Sequence, residues 1–159
     1  MIIKSFLIWL AIIPLAFLNG VLREMVINPI IGAEYGHPIS CFSLCLFIFI
    51  ICLFSIPRIG RGTAKTYLTI GLCWMLLTIL FESCLELQSG NTFAGVIKTY
   101  DISTGNLWLL VVLFVGIAPR LTAKMKKLEL TDKEIKESSK KSSEERINRL
   151  IEVAKANRK

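Results

Sequence analysis

Four long apolar runs, set apart by short polar segments, occupy the first 124 residues. They cover about residues 2–22, 39–56, 66–87 and 107–121. Crossing a hydrocarbon core takes about 20 helical residues, and each run reaches or approaches that length. A helix satisfies its own backbone hydrogen bonds in lipid, so helices are the predicted elements. No period-two alternation points to an outer-membrane barrel. The predicted fold class is therefore all-α: a polytopic membrane protein built as a four-transmembrane-helix bundle over residues 1–124.

Two weaker patterns complete the elements. Phe93, Val96, Ile97 and Tyr100 recur at helical spacing between the third and fourth runs. They predict a short outer interfacial helix, with Tyr100 and Trp108 at headgroup depth. Residues 125–159 contain no apolar run and read as a charged cytoplasmic tail. Thr131 with Glu134, and Ser142 with Glu145, each match a capping box. The second opens an amphipathic helix with Ile147, Leu150, Ile151 and Ala154 on one face, and Lys140-Lys141-Ser142-Ser143 reads as a flexible break before it. A helix of about fifteen residues is marginal alone in water. Residues 143–157 are therefore expected to gain order from the membrane surface, a cytoplasmic or membrane protein, or a second copy.

Charge supplies the orientation. Lys4, Arg58, Arg61, Lys65, Arg120 and Lys124 flank one side of the four spans, whereas the other side carries only Arg23 and Lys98. The positive-inside rule then puts both termini in the cytoplasm. A cleavable signal peptide is the rival reading of Lys4 and the first run, but no small-x-small site precedes Asn19-Gly20, so a retained span is expected.

Composition agrees with this picture. The 159-residue chain is 53% hydrophobic, with a mean hydropathy of +0.60, too apolar for a soluble domain of this length. The net charge of +7 is shared between the cytoplasmic flanks and the tail. A nucleic-acid partner is excluded, because the tail has no aromatic residue to interleave with its basic ones. The bilayer is the partner that the composition itself demands.

All five acidic residues of the membrane body, Glu24, Glu34, Glu82, Glu86 and Asp101, fall on the outward side with the single histidine, His37. Charge within an apolar span is expensive and tends to be functional. Arg23 lies 19 residues beyond Lys4 and Glu82 lies 17 beyond Lys65, roughly 29 and 26 Å along a helix. The two charges thus reach similar depth, and a salt bridge between them is one expectation. Thr78, Glu82 and Glu86 form a polar stripe on one helix face. The candidate binding or ion-pair cluster is Arg23, Glu24, His37, Thr78, Glu82 and Glu86. It reads either as helix-packing polar contacts or as an outward site for a proton, cation or ligand.

Other chemistry is thin. His37, Cys41 and Cys45 share a face and suit zinc or Cu(I) in type, but no CxxC spacing supports a closed site. Cysteine also serves as a small hydrophobe in apolar helices. No metal and no cofactor are expected, and no disulfide framework. The basic loop Arg58–Lys65 lacks the GxxxxGK[ST] phosphate spacing; topology explains it, with anionic headgroups as its contact.

Asn19-Gly20-Val21-Leu22-Arg23-Glu24, Pro29, Gly32, His37, Ser40, Gly71-Leu72-Cys73-Trp74, Thr78, Phe81-Glu82, Tyr100-Asp101, Gly105 and Trp108 together resemble a family of small, uncharacterised four-span bacterial integral membrane proteins. The resemblance covers roughly residues 5–120. It implies a bacterial inner membrane and brings no activity with it. Asn106 stands where those proteins often have a basic residue, so no anionic ligand is carried over. The expected function is a non-enzymatic binding or accessory component. The alternative is a homodimeric small transporter or ion-coupled carrier using Glu82. An enzyme finds no nucleophile–base pair here.

Overall fold

The computed structural model describes residues 1–90, 92, 94, 95, 97, 100, 101 and 106–156. Its helices are α1 (Ile2–Leu22), α2 (Ala33–Ile59), α3 (Ala64–Gln88), α4 (Trp108–Met125) and α5 (Asp132–Ala156). The first four mark the spans, each long and apolar enough to cross a membrane. The chain is an all-α, multi-pass membrane protein. The interfacial helix expected from Phe93 and Val96 rests on residues outside the described ones.

The helices overrun the apolar stretches that announce them, and this places the polar residues. Past Leu22 the first rod continues through a π-helical turn, Arg23–Ile27, and one more turn, Asn28–Ile31. Pro29 accounts for the widening: its ring would clash with the carbonyl of Met25 in a regular helix. The Asn28 amide instead bonds Arg23 O, five residues back. Gly32, at φ 83°, then reverses the chain, a backbone state open to glycine at no steric cost. Consequently α2 begins at Ala33, and His37 sits on a helix rather than in a loop. Thr63 caps α3 by accepting from the Thr66 amide at 3.1 Å.

Lipid tails are as apolar as leucine, so helix association in a membrane depends on close fit and polar bonds. The closest fit joins α3 to α4. A Cβ on Gly71 would run into the backbone carbonyl of Gly116. Around that crossing Tyr67, Trp74, Leu44, Ile48, Ile56 and Val112 are fully buried. α2 lies against α1 and α4, while α1 touches α3 only sparsely. Phe17, Phe42, Phe54, Leu80 and Ile117 are exposed on the outside of the bundle, as a lipid-facing surface requires.

At the basic end, topology is not the whole account of the Arg58–Lys65 loop. Lys4 Nζ donates to Arg58 O at 3.2 Å, and Tyr67 Oη donates to Gly60 O at 2.6 Å. Gly62 forms a short parallel bridge with the chain leaving α4, its amide reaching Leu128 O at 3.3 Å and its carbonyl receiving Leu130 N at 2.9 Å. Arg61 pairs with Glu134 at 2.9 Å and Arg120 with Glu129 at 3.6 Å.

The tail corrects one expectation. The first capping-box pair meets at the start of α5 in one direction, the Thr131 amide and hydroxyl each donating to Glu134 at 2.8 Å. The break expected at Lys140–Ser143 is absent, and α5 is one continuous helix. Ser142 and Ser143 lie inside it. Ser143 donates its hydroxyl to Ser139 O at 2.9 Å, a back-bond that lets serine sit in a helix interior. Ile147, Leu150 and Ile151 are exposed.

Candidate functional site

A cleft of about 990 Å³ runs along α1 from Trp9 to Met25, between α1 and α3, with α2 and α4 forming its other walls. Arg23, Glu24, His37, Thr78, Glu82 and Glu86 all line it. The structure thus brings the six residues of the sequence cluster to one cavity, but divides them between two walls.

The α1–α2 wall is a connected network. Arg23 is ion-paired to Glu24 at 3.0 Å, and Asn28 Nδ2 donates to the other Glu24 oxygen at 2.9 Å. Arg23 Nη1 donates to His37 Nδ1 at 3.1 Å. With Nδ1 accepting, a neutral His37 ring carries its proton on Nε2, which faces Asn106 Oδ1 at 3.0 Å. The tautomer is assigned from these partners. The Leu107 amide, 3.3 Å from the same Nε2, is then a neighbour rather than a donor. Asn106 Oδ1 also accepts the Trp108 amide at 2.9 Å. Asn106 therefore ties His37 to the first turn of α4, a positioning role that a basic side chain could not fill as an acceptor.

Deeper on the same wall, Asn19 is buried and reads α2 directly. Its Nδ2 donates to Ser40 O and Oγ at 3.1 and 2.7 Å, and its Oδ1 accepts from Ser43 Oγ at 2.9 Å. Interhelical bonds of this kind average about 0.6 kcal/mol in membrane proteins. Sequence reasoning passed over this clamp. Its signal was an amide inside an apolar span, followed by serines three residues apart on the next.

The α3 wall is acidic. Thr78 Oγ1 accepts the Trp9 indole N–H at 3.1 Å, so this member of the stripe is a link to α1. Glu82, half-buried one turn on, has no ion pair to Arg23; among the described residues Arg23 pairs with Glu24 instead. Glu86 follows Glu82 by one turn. Tyr100 is close enough to feel both charges, with Ser83 as a hydrogen-bond partner. Burial foremost, and then the charges on Glu82 and Glu86, hold its phenol above the ordinary tyrosine value.

No metal centre emerges among the described residues. Cys41 Sγ lies 3.6 Å from His37 Nε2, and the five cysteines are unpaired thiols. Glu34 and Asp101 are exposed and do not line the cleft. The fold and this cavity define a multi-pass membrane protein with a cleft that is apolar in depth and charged at one end. No family model, curated protein or solved structure matches the chain.

Proposed function

We propose that this is a non-enzymatic binding or accessory protein of the bacterial inner membrane, with both termini in the cytoplasm and the charged end of the cleft facing outward. The observation that carries the reading is the cleft itself, which gathers Arg23, Glu24, His37, Glu82 and Glu86 beside an apolar slot. Volumes up to about 1,000 Å³ are typical of small-molecule sites, as is a mainly apolar lining with a few polar groups. The basic residues at the opposite end support the orientation.

Native mass spectrometry of the protein released from nanodiscs tests it. A bound small molecule or lipid is expected at one per chain, and Ala16→Trp, which fills the cleft from α1, should remove it. Identical spectra for both proteins would overturn the reading. The second reading, an ion-coupled carrier working as a homodimer, draws on Glu82, a half-buried carboxylate with no ion pair to another described residue. It requires that Glu82→Gln abolish pH-dependent uptake at unchanged abundance.

A further inference from the structure

Because α5 runs without a break from Asp132 to Ala156, its two halves share one helical register. At about 100° per residue, Ile147, Leu150, Ile151 and Ala154 of the second half fall in the same arc as Lys133, Lys136 and Lys140 of the first. All seven are exposed. Glu134, Glu145 and Glu152 lie on the opposite side, with Lys141 among them. The acids nearest the lysine-isoleucine face are Asp132, in the first turn, and Glu144, at its edge. Lys140 reaches Glu144 at only 3.9 Å, with both side chains largely in solvent, and such pairs are worth little. One face of α5 is thus basic and then apolar, and the other is mainly acidic.

That pattern separates the possible occupants. In a coiled coil the seam would be Lys133, Lys136, Lys140 and Ser143, followed by Ile147, Leu150 and Ala154. Its apolar part falls short of the three or four heptads that pairing needs. A parallel second copy would set lysine against lysine, and an antiparallel one would set lysine against leucine and isoleucine. A bilayer surface accepts both halves: the apolar residues enter the acyl boundary, and the lysines extend to anionic headgroups. The surface is also at hand. α4, a candidate span, ends at Met125, Gly62 holds Leu128 and Leu130, and Arg61 holds Glu134 in the first turn of α5. Tethering on so short a lead raises the effective concentration of helix at the membrane, so modest intrinsic affinity suffices.

We propose that α5 is an interfacial helix whose lysine-isoleucine face docks on anionic lipid beside the basic end of the bundle. This surface is separate from the cleft, and its role is independent of what the cleft binds. The lysines supply the attraction to negative headgroups and the apolar stripe supplies the anchorage. The acids on the far side keep that side in water.

The test uses the full-length chain, one copy per nanodisc, in phosphatidylcholine with and without phosphatidylglycerol. A nitroxide on Ala154→Cys or on Glu152→Cys, with the native cysteines replaced by alanine, reports depth through its accessibility to oxygen and to a water-soluble nickel chelate. With phosphatidylglycerol the label at 154 should be immersed and the label at 152 aqueous. Each of Lys133→Gln, Lys136→Gln and Lys140→Gln should lower the docked-to-free ratio about fivefold, and removing the anionic lipid should lower it at least as far. Amide protection over residues 144–156 of the native chain should show the same lipid dependence, which keeps the test decisive if the cysteine-free chain does not fold. Both labels aqueous in the presence of phosphatidylglycerol would overturn the proposal. So would immersion that ignores the anionic lipid and the lysines, or burial of the label at 154 only where two copies share a nanodisc.

Discussion

Replacing Gly71 by alanine tests the helix crossing on which the cleft is built. The added methyl meets the Gly116 carbonyl, and backbone cannot swing aside as a side chain can. Overpacking of this kind costs about 1–3 kcal/mol, and a backbone obstacle puts this case near the upper figure. Alanine also recovers about 0.5–1 kcal/mol of helix propensity over glycine. The net expectation is a loss of about 2 kcal/mol, roughly thirtyfold in the folded-to-unfolded ratio. Gly20→Ala is the matched control, because a Cβ there meets nothing within 4 Å; it should stabilise by the propensity difference alone. Steric trapping in bicelles reads both. A Gly71→Ala protein as stable as the wild type, beside a Gly20→Ala protein that behaves as stated, would refute the close crossing. Because Thr78 and Glu82 follow Gly71 on nearly the same face of α3, the substitution should also weaken ligand retention.

Four further outcomes are expected. A double-mutant cycle with Trp9→Phe and Thr78→Val should give a coupling of about 0.6–1.7 kcal/mol, and additive effects would deny the α1–α3 hydrogen bond. Thr131's amide and hydroxyl, then Arg61, hold Glu134 below the usual carboxylate range. Its contribution to tail docking is therefore present above the unfolded glutamate pKa and lost as pH falls through the lower folded value. Amide protection over residues 128–137, taken relative to the intrinsic exchange rate at each pH, should fall in acid, and Glu134→Gln should flatten that dependence. Glu82→Gln should lower the alkaline titration midpoint of Tyr100, followed by phenolate absorbance, since the Glu82 charge contributes to raising it; an unmoved midpoint would place the two apart. Single cysteines at Ser89 and Ser139, in a chain without its native thiols, report orientation. An impermeant maleimide should label the first in intact cells and the second only after lysis.

The spans and the cluster were legible for the same reason: lipid penalises charge, so Arg23, His37, Glu82 and Glu86 stand out against apolar runs. Their pairing was not. Depth along separate helices matches Arg23 with Glu82, but it ignores rotation about the helix axis. Asn19, Asn106 and Thr78 were harder still, because their value lies in which neighbour they meet across the bundle. The tail failed differently. A serine-lysine stretch looks like a break by composition, yet back-bonding to Ser139 and the Lys140–Glu144 pair at 3.9 Å keep it helical.

The bridge between Gly62 and the chain after α4 ties the start of the tail to the membrane body. Composition changes at residue 125, but a cut there would strip Leu128 and Leu130 from Gly62, and Glu134 from Arg61. Beyond those contacts the helix is a lever: a load applied near Leu150 is delivered through them to the turn joining α2 and α3. Whatever grips the tail therefore holds the loop between the two helices whose far ends carry His37 and Glu82.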